Sequence, residues 1–158
     1  MAAISYGAHV THVDSVKSAI VWSKENVQAS GLNITKVRYI EEDAYKFVLR
    51  EGRRGNTYDG IIMDPPRFGR GPKGEVWKLT EDLPKLLHAA VQLLSARAKF
   101  FLVNAYTADL SAIALQNVVA SALMKKTGTT TFGELALMES AGRRLVPQGI
   151  FVRWVSGE

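Results

Sequence analysis

The segment Ile61-Ile62-Met63-Asp64-Pro65-Pro66 constrains the fold more than any other part of the chain. Residues 58–63 are of strand length, and their apolar run Ile61-Ile62-Met63 ends abruptly in an acid and two prolines. Such a run, bounded by turn residues, reads as a strand buried on both faces. Strands of that kind belong to parallel sheets with helices on both sides. Proline has no N–H for a ladder, and Pro66 drives Pro65 into an extended shape. The strand therefore stops at Met63 and leaves Asp64 at its carboxyl end, the edge where ligands sit in open α/β sheets. The competing reading is a strand end followed by an ordinary tight turn.

The flanking pattern alternates strand and helix. Residues 9–13 read as a short strand, and Asp14 or Ser15 is a candidate cap for a helix running to about residue 30, where Gly31 stops it. A strand follows at 37–40, then a helix at 42–53 closed by Gly55-Asn56, then the strand at 58–63. Residues 68–78 read as a loop with glycines at 69, 71 and 74. A helix is expected over 81–95 with Pro84 in its first turn, where proline is tolerated. A strand at 99–104 and a helix at 110–125 come next. Strands at 134–138 and 150–155 end the chain, joined by a loop holding Gly142, Pro147 and Gly149. This order predicts an α/β fold with a mostly parallel sheet. The last two strands have no helix between them, which predicts an antiparallel pair.

At 158 residues the chain suits one domain. With 47% hydrophobic and 22% charged residues it has an ordinary globular balance. No apolar run is long enough for a transmembrane helix, and the N-terminus is not a clear signal peptide, so a cytoplasmic location is the default. The absence of cysteine excludes disulfides, thiolate metal sites and a cysteine nucleophile. His9, His12 and His88 are scattered, so no metal site is assigned. The net charge of +5 mildly favours a polyanionic partner. Three basic groups stand out, at Arg50, Arg53 and Arg54, at Arg67, Arg70 and Lys73, and at Arg143 and Arg144. Each group also fits a plain solvated surface.

Asp64-Pro65-Pro66-Arg67-Phe68 resembles the Asp-Pro-Pro-x-Phe motif of class I S-adenosylmethionine (SAM)-dependent methyltransferases, in the version typical of bacterial enzymes acting on large-subunit ribosomal RNA. The resemblance extends from about Ala8 to the C-terminus. It implies a Rossmann-like methyltransferase fold, SAM as cofactor and RNA as acceptor. It also implies one more strand ahead of residue 1, carrying a glycine-rich turn and lying between the strands of Val10 and Ile62. Met1 to Gly7 then looks like the tail and stop of the following helix. The chain is accordingly expected to be an N-terminally truncated, single methyltransferase domain with a gap in its sheet. The oligomeric state stays open; a dimer could fill that gap.

The resemblance implies roles residue by residue. Asp14, with Ser15 beside it, would accept hydrogen bonds from the ribose hydroxyls of the cofactor; the bland alternative for Asp14 is a helix cap. Asp43 and the Ala44 N–H would contact the adenine, with a cap again as alternative. Asp64, Pro65 and Pro66 would stand between donor and acceptor and orient the target atom, since an in-line methyl transfer depends on placement and charge. Phe68 could stack on a target base, and Arg67, Arg70 and Lys73 could hold phosphates. Asn104 and Tyr106 could line the acceptor pocket. Related cytosine-C5 enzymes carry a cysteine near Asn104, and this chain has none, which argues against covalent activation of that carbon. Trp22, Trp77 and Trp154 read as core or surface packing, with Trp77, in the long loop, the exception worth watching. Three other readings compete: a nicotinamide-dependent oxidoreductase, a non-catalytic RNA-binding or assembly module, and a methyltransferase for protein or a small molecule.

Overall fold

The computed structural model describes residues 1–71, 74, 76–107 and 109–157. A short helix α1 (Ala2–Ser5) precedes β1 (Val10–Asp14), α2 (Lys17–Ala29), β2 (Val37–Glu41) and α3 (Ala44–Arg53). Then come β3 (Gly60–Met63), β4 (Phe68–Arg70), β5 (Val76–Lys78), α4 (Leu79–Val91), β6 (Phe100–Ala105), α5 (Ala112–Leu123), β7 (Gly128–Met138) and β8 (Leu145–Ser156).

The strands form a divided, Rossmann-like arrangement. β1 and β2 pair in parallel, from Val10 opposite Val37 to Asp14 opposite Glu41. A separate four-stranded sheet has the order β3-β6-β8-β7, parallel at β3/β6 and antiparallel at β6/β8 and β7/β8. The antiparallel ending is the one expected from the missing helix. The division falls between β1 and β3, where the resemblance places a further strand.

The main core lies on one face of the larger sheet. Phe101, Val103 and Ala105 alternate inward along β6 and are fully buried. Leu83, Leu87, Ala90 and Val91 recur at helical spacing on α4 and meet them together with Leu115 and Val119 of α5. Full burial of such a side chain contributes about 1.5–3 kcal/mol. The opposite face of this sheet is open and mixed: Ile62 is 60% exposed and Val155 43% exposed, and Arg153 and Asn104 share the face with them.

A buried acid ties the smaller sheet to the larger. Glu51 of α3 is fully buried and accepts from Arg38 of β2 at 3.2 and 3.4 Å, from the Asn56 amide at 2.9 Å and from the Tyr58 hydroxyl at 2.7 Å. Burial alone would raise its pKa. The hydrogen bonds from Tyr58, Arg38 and Asn56 outweigh that and hold it at about 2, below the usual 4.5. Burial and the Glu51 hydrogen bond raise the Tyr58 pKa, and the Thr11 side chain of β1 acts against them, so the cluster reaches across the division.

Several sequence boundaries are corrected. Residues 68–78 are not a plain loop, because β4 and β5 form an antiparallel hairpin across the glycines. Helix α4 begins at Leu79, since Asp82 Oδ2 accepts the Lys78 N–H at 2.9 Å and starts the helix early. Pro84 therefore lies in the second turn rather than the first. β7 begins at Gly128 rather than Glu134, through the β-branched run Thr129-Thr130-Thr131. β8 begins at Leu145, so Pro147 and Gly149 lie in a strand and not a loop; the register shifts beside Leu135/Ala136 to admit them.

Candidate functional site

The site is built from strand ends. β1 closes on Asp14, whose Oδ1 accepts the Val16 N–H at 2.8 Å. This bond turns the chain, so Val16 is the N-cap of α2 and no side chain caps that helix. Neither Asp14 nor Ser15 is the cap expected from sequence. The Glu42 N–H donates to the Asp14 carbonyl at 3.1 Å and brings the end of β2 against that of β1. Asp43 does cap α3, accepting the Lys46 N–H at 2.9 Å through Oδ1, and Ala44 is the first helical residue. In both acids Oδ2 has no partner among the described residues, so capping or turning the chain leaves one carboxylate oxygen for a ligand.

Asp64 follows β3 immediately. Its side chain is exposed, and partial burial of the carboxyl raises its pKa above the ordinary value. Met63 pairs with Val103, so Asp64 runs on beside Asn104. Asn104 is half-buried and Tyr106, two residues further, is 58% exposed.

The β4–β5 hairpin holds the proline segment. Trp77 Nε1 donates to the Pro66 carbonyl at 2.6 Å, and the Leu79 N–H donates to the Arg67 carbonyl at 3.0 Å. Phe68 faces Lys78 and Arg70 faces Val76 across the hairpin, which places these four side chains on one face and Gly69 and Trp77 on the other. On the open face Phe68 is 53% and Val76 52% exposed. Trp77 turns inward toward Pro66 and the core.

The basic residues near the motif separate into different situations. Arg67 pairs with Asp109 of the segment after β6, which links the two loops at the strand ends. Lys78 Nζ meets Glu81 at 2.9 Å. Arg70 is exposed, and Lys73 lies outside the described residues. A cleft of about 190 Å³ joins Asp43 and Tyr45 to Val76, Trp77 and Asp82, so the start of α3 and the hairpin share one depression. Tyr45, Val76, Trp77 and Asp82 line this cleft and were not assigned from sequence. The strand-favouring pair Val76-Trp77 after the glycines was the available signal. Among the described residues no three side chains gather as a metal site.

The strand-end acids, the motif loop and the divided α/β sheet define the fold of the class I, Rossmann-like methyltransferases. The particular likeness is to the SAM-dependent methyltransferase from Agrobacterium tumefaciens: 40% identity and a TM-score of 0.93 over 98% of this chain and 51% of that one. SMU.776, solved in complex with SAH, shares the fold at a TM-score of 0.72 and 22% identity, over 92% of this chain and 38% of that one. Ribosomal RNA large subunit methyltransferase I of Klebsiella pneumoniae is 29% identical over 86 residues, 54% of this chain and 21% of that protein. No family model matches the chain. The chain thus spans about half of the Agrobacterium protein and a fifth of the Klebsiella one. Among the described residues no helix is long and apolar enough to cross a membrane.

Proposed function

We propose that this chain carries the SAM-binding and acceptor-positioning surface of a methyltransferase acting on a base of RNA, with ribosomal RNA as the favoured substrate. The observation that carries the reading is the placement of Asp14, Asp43 and Asp64 at consecutive strand ends, in a fold 40% identical to a SAM-dependent methyltransferase. The large-subunit ribosomal RNA methyltransferases among its relatives support the choice of RNA.

The donor set fits a nucleoside. Asp14 offers Oδ2 to the two ribose hydroxyls, with Ser15 beside it, and charge-assisted bonds of this kind contribute about 1.5–3 kcal/mol each. Asp43 offers Oδ2 to an exocyclic amine, and the Ala44 N–H to a ring nitrogen. Bound SAM supplies an electrophilic methyl group on a sulfonium. Asp64 then acts at the acceptor: its carboxylate accepts a hydrogen bond from the target base and fixes the attacking atom in line with the methyl. Pro65 and Pro66 keep that segment extended, and Trp77 pins the Pro66 carbonyl so that the wall does not shift. Phe68 presents an open ring for stacking, Arg70 an open cation for a phosphate, and Arg67 closes the loop through Asp109. Lys73 is assigned to the same phosphate track from sequence, and Asn104 and Tyr106 to the acceptor side. No metal takes part in this reading.

Calorimetric titration of SAM tests the cofactor half. Saturable binding that weakens about tenfold in Asp14→Ala is the expected result, and no heat with either SAM or SAH overturns it. Transfer of labelled methyl to protein-free ribosomal RNA tests the acceptor half. Label found only in protein or small molecules moves the assignment to those substrates.

A further inference from the structure

We propose that the end of the large sheet opposite the motif is a second contact for the RNA backbone, a track of cations running from the end of α3 across the starts of β6 and β7. The proposal rests on the RNA acceptor argued above and adds a surface to it. Backbone hydrogen bonds set the floor of the track. The Lys99 N–H donates to the Asp59 carbonyl at 2.6 Å, the Ser156 N–H to the Lys99 carbonyl at 3.1 Å and the Gly157 N–H to the Thr127 carbonyl at 3.2 Å. Four chain segments therefore meet side by side, about 14 Å across at the usual strand spacing. Lys125 and Lys126 join this row ahead of Thr127. On its other side the Tyr58 N–H donates to the Leu93 carbonyl at 2.7 Å, which brings the end of α3, with Arg53 and Arg54, toward the turn that carries Arg97.

The cations at this end are not spent on acids. Arg54 meets Glu51 at 3.6 Å, but Arg53, Arg97, Lys99, Lys125 and Lys126 make no side-chain hydrogen bond or ion pair among the described residues. At the motif end of the sheet the situation is reversed, and Arg67, Lys78, Lys85 and Arg144 each hold an acid. The exposed acid in the row is Asp59, and its Oδ1 already accepts the Ser95 hydroxyl at 2.6 Å. Helix dipoles account for basic residues at the ends of α3 and α5. They do not account for Arg97 and Lys99, which lie well past the end of α4 at Val91. There a cleft of about 460 Å³ opens between the 96–99 turn and the end of β8, lined by Asp59, Arg97, Lys99 and Ser156. A phosphate seated in it meets two cations and a hydroxyl.

The arrangement identifies the occupant. A small anion is held by donors that converge on one point, as at a helix N-terminus. These cations are strung along a line instead, and a line of positive charge suits a polymer with a phosphate every few ångströms. Contacts of this kind fix register and orientation and read no sequence. β6 is 6 residues long, so the track lies about 20 Å from the strand ends that carry Asp64 and Asn104. A short RNA seated at Asp64 therefore leaves the track empty, whereas a folded RNA that wraps the domain reaches both.

Fluorescence anisotropy of two labelled RNAs tests this, a short unstructured oligonucleotide and a structured fragment of large-subunit ribosomal RNA, each titrated between about 50 and 200 mM salt. For the structured fragment, the double variant Arg97→Gln/Lys99→Gln should weaken binding about tenfold or more and lower the salt slope by about two, and Lys125→Gln/Lys126→Gln should act alike. Neither should alter affinity for the oligonucleotide or for SAM, whereas Arg70→Ala, at the motif, should weaken both RNAs. If Arg70→Ala weakens binding and neither double variant does, the track falls and the RNA acceptor stands. If the wild-type chain binds neither RNA at about 50 mM salt, both fall together. Binding to anionic lipid vesicles that the double variants abolish, with RNA affinity unchanged, assigns the surface to a membrane and also overturns the proposal. Should a variant misfold by circular dichroism, ultraviolet cross-linking of the wild-type chain to the structured RNA decides. Cross-links at residues 96–99 and 125–127 support the track, and cross-links confined to the β4–β5 hairpin overturn it.

Discussion

The two parts of the molecule are stabilised in different ways. Around β6, α4 and α5 a continuous apolar cluster holds Phe101, Val103, Leu87 and Leu115 out of water. Around β1, β2 and α2 the fully apolar burial shrinks to Ile20 and Val27, and a buried carboxylate with its donors joins this part to the rest. The proposed cofactor acids Asp14 and Asp43 stand on the smaller part, whereas Asp64 and the hairpin stand on the larger. On the proposed roles, a scaffold of this kind would keep Asp64 and the hairpin fixed and let the Asp14 and Asp43 side adjust. Low local stability is what ligand-binding segments generally show.

The largest effects should come from cutting each support separately. Phe101→Ala should cost about 3–5 kcal/mol through the cavity it leaves, and cooperative unfolding should shift for the whole chain. Glu51→Ala strips the partners of Arg38, Asn56 and Tyr58, and should cost about 3 kcal/mol, mostly in the smaller part. Hydrogen exchange should show β1 and β2 opening first, with β6 still protected. Equal loss of protection in both sheets would erase the contrast.

Acid should act on the same joint. Glu51 has a folded pKa of about 2 against 4.5 in the unfolded chain, so its contribution is present above 4.5 and is lost as the pH falls toward 2. An acid unfolding curve should therefore show the β1–β2 part released before the core, and Glu51→Gln should remove that early phase.

Functional variants should give smaller changes. Asp64→Ala should lower methyl transfer about 100-fold or more and leave SAM affinity within about twofold, because its role is in placement. Since burial raises the Asp64 pKa, the acid limb of the rate profile should lie above the ordinary Asp value of 3.8 and vanish in Asp64→Asn. An unchanged rate in either variant removes Asp64 from the chemistry. Arg70→Ala should weaken RNA binding evenly and reduce the salt slope by about one. Arg67→Ala should change the slope less, because that side chain is already paired with Asp109.

The strand-helix order and the motif were legible because they depend on local rules. Apolar runs, prolines and helix stops are written consecutively, and Asp64 lies where they placed it. Features that depend on distant partners were not. Glu51 reads as one more solvated acid among Arg50, Arg53 and Arg54, although its i+4 spacing from buried Phe47 puts it on the inward face. The 68–78 segment reads as loop because of its glycines, yet Trp77 finds Pro66 eleven residues back and folds it into a hairpin. β7 was under-read because Thr129-Thr130-Thr131 lacks apolar alternation, although β-branching alone favours a strand. The same logic explains Asp14: its side chain turns the backbone at once, a local bond, but one that competes with capping.

The placement of the three tryptophans gives each part of the molecule its own optical reporter. Trp154 is 3% exposed within the large core, Trp22 is 67% exposed on α2, and Trp77 rests its indole on the motif backbone. Red-edge emission from Trp22 and blue-edge emission from Trp154 bracket the signal. A change at intermediate wavelength on adding SAM then reports on Trp77. Replacing both Trp22 and Trp154 by phenylalanine would leave a chain whose fluorescence follows the Pro66 segment itself, without any added label.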